Sequence, residues 1–263
     1  MTAPTPEQAS AFVEEAQLPD VRRRRGEPDS PGLPQPTFDA TKDQAIVAGS
    51  GVVSFKSGIS ATRRQAVSDS LLLAQLILKH QQVSPDDTQN WYRGYGRVLA
   101  NLGWLVETCE MTDYVSGDAG FDVHEAIMAV AAVLLGPGAV AAVPLIEATL
   151  KALNSMDTST PWITLFNRES RRANTASFQI ALAEPEQTGS DRLTVSLMAF
   201  SLTASMTITQ VLFVKVQNNE ANLKRFTTKA EINLSVLDSV QSTLQQKVAS
   251  FTTSYLSALP DLS

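Results

Sequence analysis

His124 and Glu125 stand side by side, as they do at the start of a zinc-protease HExxH, where two imidazoles one helical turn apart hold the metal. Position 128 is a methionine, so the second ligand is missing, and His80 is the only other histidine in the chain. No histidine-based metal site is expected. Cys109 lies in "ETCEM", between carboxylates that disfavour the thiolate, which argues against a catalytic nucleophile. It remains a weak candidate for acylation, against the plainer reading of a packed thiol. Arg168, Arg171 and Arg172, with Glu169 among them, could hold an anionic group, or could simply be a solvated connector. The carboxylate pairs Asp86 with Asp87 and Asp118 with Asp122 stand where helix caps and turns want them. The glycines of "GSG" (49–51) complete no nucleophile elbow. "GYGRVLANLG", from Gly94, lacks the context of a dinucleotide loop, so a glycine there more simply lets another helix pack closely. These residues form no catalytic constellation and no cofactor motif. The reading leans against an enzyme and expects no cofactor. An enzyme with a dispersed site is the weakest alternative kept, since triads do assemble from distant positions.

Composition narrows the partners. A chain of 263 residues, 43% hydrophobic and 18% charged, is long enough to bury a sizeable core. With aromatics at 6%, that core must be filled mainly by Leu, Val, Ile and Ala. A net charge of −6 lacks the positive face that displaces counterions from phosphates, so no nucleic-acid partner is expected. The single cysteine allows no internal disulfide, and the acidic N-terminus has no signal-peptide pattern. The chain is expected to be cytoplasmic as synthesised, with export by a route that cleaves no signal peptide left open.

The elements that would position these residues fall into two regions. Residues 1–41 read as a flexible arm: a short amphipathic helix, then five prolines between Pro19 and Pro36 around the run Arg22 to Arg25. Residues 42–263 read as one α+β domain, with a helical part over 56–156, a sheet over 175–234 and a C-terminal helix over 235–259. "QAIVAGSGVVSF" (44–55) is a strand with a glycine interruption or a tight turn. Helical spacing of Val67, Leu71, Ala74 and Leu78 marks the first long helix. A second is expected from Asp86 through Tyr114, with Trp91, Tyr95, Val98, Leu102 and Leu105 on one stripe and both Trp91 and Trp104 buried. Alternating runs beginning near Ser177, Leu193, Thr207 and Leu223 predict a four-stranded antiparallel meander with one buried and one wetter face. A long amphipathic helix with Leu237, Val240, Leu244, Val248, Phe251 and Tyr255 on one stripe would cover it.

The most informative stretch is "AIMAVAAVLLGPGAVAAVPLI", Ala126 to Ile146, which has no charged side chain. A run of eighteen or so apolar residues raises the question of a membrane span. Gly136, Pro137 and Gly138 break it near the middle, and each arm reaches only about half of a bilayer core at about 1.5 Å per residue. The shape implied is a helical hairpin, buried as plain core or sequestered for release at a membrane, the layout used by pore-forming toxins and related virulence proteins. In the resting state Val130, Val133, Leu134, Val140 and Leu145 should be inaccessible to water. The lipid-contact candidates are Val130, Val133, Leu134, Leu135, Val140, Val143 and Leu145. The leading expectation is thus a non-enzymatic, soluble, membrane-interacting protein, toxin-like or a virulence factor. Its rival is a protein-binding or assembly module using the N-terminal arm and the C-terminal helix. The expected partner is accordingly a lipid membrane or another protein, with a homo-oligomer left open.

Overall fold

The structure, a computed structural model, describes residues 3–20, 36–106, 112–114, 120–136, 142–154, 160–172, 174–185, 192–204, 211–212, 215–217 and 221–259. Helix α1 (Pro6–Glu15) starts with a capping box, in which Thr5 accepts from the Gln8 amide and Gln8 reaches back to Thr5. Strands β1 (Gln44–Ala48) and β2 (Gly51–Phe55) form a hairpin turning at Gly49, whose φ of +57° favours a residue without a side chain. A Cβ at Gly49 would also lie 2.3 Å from the Gln75 Oε1 that accepts from the Ser50 amide. Helix α2 (Ala61–His80) is capped by Ser60 and helix α3 (Thr88–Asn101) by Asp87. Gly94 seats α3 on α2: a Cβ there would stand 2.6 Å from Leu78 Cδ2.

The helix expected through Tyr114 ends at Asn101. Gly103, at φ +85°, turns the chain into edge strand β3 (Trp104–Val106), and β4 (Thr112–Asp113) follows. Trp91 and Trp104 are both buried, but from a helix and a strand rather than from one helix, and Leu105, expected on the buried stripe, is exposed. The apolar spacing of Leu102 and Leu105 belongs to a turn and a strand, because the left-handed glycine outweighs a helical pattern that continues past it.

Next come β5 (Gly120–Asp122), α4 (Val123–Leu135), α5 (Ala142–Asn154) and α6 (Pro161–Ser170). The long strands β6 (Thr175–Pro185) and β7 (Arg192–Ala204), the short β8 (Lys215–Gln217), and β9 (Ala221–Asn233) follow. Helix α7 (Leu234–Tyr255), capped by Asn233, and β10 (Leu256–Ala258) complete the order. The main sheet runs β10-β1-β2-β6-β7-β9-β3, with β4 also on β9. It is mixed, because β2 pairs with β6 in parallel while the other pairs are antiparallel.

Two expectations about the sheet are corrected. Within it the meander has three long strands, β6-β7-β9, since β7 pairs with β9 directly from Arg192↔Asn233 to Ala204↔Ala221. The run begun at Thr207 supplies only β8, which pairs with β5 in a separate ribbon; residues 205–210 lie outside the described residues. Nor is there a wet face along the central strands. β6 is buried at Ala176 through Ala183 without alternation, because helices lie on both sides. One core holds residues of α2, α3 and α7 against Val53, Phe55, Leu197 and Phe226. The other holds α4, α5 and α6 against Val52, Phe178, Ile180 and Phe200. The fold is thus α+β in three layers, helices–sheet–helices. Alternation survives at β9, where Phe226, Thr228, Ala230 and Ile232 are buried between exposed Lys229 and Glu231.

The N-terminal helix is packed, not free. Ala9 and Val13 are fully buried, Ala9 in a small core with Val236 and Val240 of α7. The expectation of a flexible arm therefore does not extend to α1; Arg22 to Arg25 lie outside the described residues.

Candidate membrane-contact hairpin

Asp122 caps α4 by accepting from the His124 amide at 2.8 Å, and Gly136, at φ +80°, ends the helix where the uncharged run breaks. α4 and α5 belong to one core and rest on the sheet. Their inner faces carry Val130, Leu135 and Leu145, exposed by 3%, 9% and 5%, together with Ala126, Ile127, Ala131 and Ile146.

The outer face is unusual. Glu125, Ala129, Ala132 and Val133 fall at spacings of four, seven and eight residues, one side of a helix, and all four are exposed. After Glu125 no charged or polar side chain occurs on that side, and Val133 is 77% exposed. The expectation that Val133 would be inaccessible is therefore corrected, because it points away from the sheet that buries Val130. Met128, Leu134 and Val143 are half-buried at the margins of the same core, and Pro144 is exposed. Val140 lies outside the described residues. The seven lipid-contact candidates thus divide into inner (Val130, Leu135, Leu145), outer (Val133) and marginal (Leu134, Val143) positions, apart from Val140.

The charges of α4 and α5 lie toward the start of the first helix and the middle and end of the second. His124 and Glu125 open α4, while Glu147, midway along α5, pairs at 2.7 Å with Lys151 in its last turn. The Lys151 hydrogen bond holds the Glu147 carboxyl below its ordinary range, with the charges of Lys151 and, less, His124 acting in the same sense. From Ala126 to Ile146 every residue is uncharged. The end of α4 and the start of α5 are thus uncharged.

One buried polar contact ties the hairpin to the sheet. Ser54 on β2 and Thr149 on α5 meet hydroxyl to hydroxyl at 2.9 Å, with Thr149 Oγ1 also donating to Leu145 O at 2.8 Å. Nothing in the sequence paired these two positions. The outer stripe was missed as well, since Val133 was expected to be inaccessible, although Glu125 marks the water side of α4 and Ala129, Ala132 and Val133 continue it at helical spacing.

The remaining candidates do not join this site. Arg168 is engaged, its Nε on Glu169 at 2.8 Å and its Nη2 donating to Ser254 O at 2.8 Å. Arg172 Nη1 donates to Arg171 O at 3.2 Å, and both residues are exposed beyond the end of α6. Cys109 lies outside the described residues. Among the described residues no group of three or more His, Cys, Asp or Glu side chains is placed to hold a metal, and no helix is long and apolar enough to cross a membrane.

No protein-family model matches the chain, and no curated protein does either. Several solved structures are similar in outline. A delta-endotoxin aligns over 86% of this chain and 96% of its own, with TM-score 0.39 and 8% identity. The activated Cyt2Ba monomer from Bacillus thuringiensis subsp. israelensis aligns over 60% of this chain and 92% of its own, with TM-score 0.35 and 11% identity. The Evf virulence factor aligns over 94% of this chain and 89% of its own, with TM-score 0.32 and 8% identity.

Proposed function

We propose that this protein is a non-enzymatic, toxin-like or virulence-type protein that folds in water and binds lipid membranes through the α4–α5 hairpin. The observation that carries the reading is the outer side of α4, which faces solvent with Ala129, Ala132 and Val133 and no charge after Glu125. The exposed side of α7, also an outer helix, carries Asp238, Gln245 and Gln246. A helix that covers a core commonly presents charged or polar residues on its wet side, as α7 does, and α4 departs from that pattern.

The rest of the hairpin suits transfer to lipid. Moving Val130, Leu135 and Leu145 from the core into water would cost about 1.5–3 kcal/mol each, whereas moving them into hydrocarbon exchanges one apolar surrounding for another. Thr149 would keep a partner, since its hydroxyl bonds a carbonyl of its own helix. At 13 residues each, α4 and α5 are about 20 Å long, short of the roughly 30 Å of a hydrocarbon core. Shallow insertion is the geometry that fits, with His124, Glu125, Glu147 and Lys151 staying at the interface. The rival assembly reading loses its surface on α7, where Val240, Leu244, Val248 and Phe251 are already buried.

Flotation with phosphatidylcholine vesicles tests the proposal. Wild type should float with lipid, and Val133→Asp should reduce the floating fraction about tenfold while leaving the fold intact. Absence of flotation across lipid charge and pH from 5 to 8 would end the reading.

A further inference from the structure

Elements of the α4–α6 layer and of the α2–α7 layer meet in a polar cluster. Lys79, near the end of α2, pairs with Glu169 Oε2 near the end of α6. Arg168, beside it, holds Glu169 Oε1 at 2.8 Å and reaches across to Ser254 O at 2.8 Å on α7. Both cations lie over the ring of Tyr255, Lys79 Nζ at 4.6 Å and Arg168 Cζ at 5.7 Å from its centroid. The Tyr255 carbonyl accepts from Gly49 at 2.8 Å, which joins this end of α7 to the β1–β2 turn. The Glu169 side chain is 10% exposed and Lys79 27%, so their pair is partly shielded from water and salt, whereas Arg168, 51% exposed, meets Glu169 from the solvent side.

The position of this cluster gives it a use. α6 packs Ile163, Leu165 and Phe166 into the core that α4 and α5 share, whereas α2 and α7 line the opposite core. β10, which follows α7, is the edge strand beside β1. The cluster therefore clips the two helical layers together around the sheet edge. We propose that Lys79, Glu169, Arg168 and Tyr255 form a latch that limits separation of the α4–α6 layer from the sheet, with Glu169 as its central positioning residue. The proposal deepens the membrane reading, on which its bearing on lipid rests: the inner residues Val130, Leu135 and Leu145 reach a membrane only when the layer parts from the sheet.

The latch is tested on the whole protein with Glu169→Gln, which keeps the shape and removes the charge, and with Lys79→Met, which removes the partner. Amide exchange in lipid-free protein should accelerate about tenfold in α5 and α6, equivalent to about 1.4 kcal/mol of local stability, with the central strand β7 unchanged. Dye release from phosphatidylcholine vesicles should quicken by a similar factor. Equal acceleration in β7 and α6 would mean general destabilisation and would overturn the latch, as would no acceleration in α6. If wild type releases dye and both variants release it no faster, the latch falls and the membrane reading stands. If wild type neither binds nor permeabilises vesicles, the membrane reading falls, and the exchange experiment still decides the latch.

Discussion

Asp69 lies on α2 fully removed from solvent, with Gln65 Nε2 donating to its Oδ1 at 2.9 Å and no hydrogen-bond partner on Oδ2 among the described residues. Burial raises its pKa from the ordinary 3.8 to about 7, and the Gln65 bond opposes this only in part. Because the folded state holds the proton more tightly than the unfolded one, the stability linked to Asp69 is full below about pH 4 and is lost as pH rises through about 7. Asp69→Asn should therefore be about 1–3 kcal/mol more stable than wild type at pH 8, with the advantage gone at pH 4. Urea unfolding at the two pH values measures this, and a pH-independent difference would contradict it. Arg64 shows the opposite solution to burying a charge. Its guanidinium donates to Ile59 O, Lys42 O, Lys56 O and Gln44 Oε1 at 2.8–3.0 Å and stands over the Phe55 ring. Lysine cannot reproduce that fork, so Arg64→Lys should destabilise by about 2–4 kcal/mol in the same assay.

At the scale of elements, α4 has two faces of nearly the same composition and opposite surroundings. Val130 and Val133, three residues apart, are 3% and 77% exposed. Val130→Asp would bury an unpaired carboxylate and should lower stability by more than about 3 kcal/mol, whereas Val133→Asp should change it by less than about 0.5 kcal/mol. Thermal unfolding of the pair checks the orientation of the helix before any lipid is added. The joint between α3 and β3 is equally specific. At Gly103 a Cβ would stand 2.8 Å from Val236 Cβ on α7, with φ at +85°. Gly103→Ala should cost about 2 kcal/mol or more, and a neutral effect would mean that α7 does not hold the turn so closely.

For the molecule as a whole, the class of fold, the long helices, three long strands and the apolar hairpin were legible in the sequence, because each follows from local periodicity. The closing of the sheet on both faces was less so. The alternation of Phe178, Ile180 and Leu182 and of Leu193, Val195 and Leu197 invited a one-sided meander, whereas the short apolar stretches 180–183 and 197–200 within β6 and β7 are the local trace of strands covered on two sides. Polar ties were not legible at all. Ser54 with Thr149 and Lys79 with Glu169 are 95 and 90 residues apart, and no local pattern links them. Those ties decide whether the hairpin is only core. Ser54 and Thr149 present side-chain oxygens 2.9 Å apart, so cysteines at both positions lie within reach of a disulfide. The most direct test is flotation of the Ser54→Cys/Thr149→Cys protein, in a Cys109→Ser background, with phosphatidylcholine vesicles before and after reduction. Release of the hairpin at the membrane predicts a folded protein that stays unbound while oxidised and floats once reduced. Equal flotation in the two states, with the disulfide verified by mass, would show that the hairpin never leaves the core.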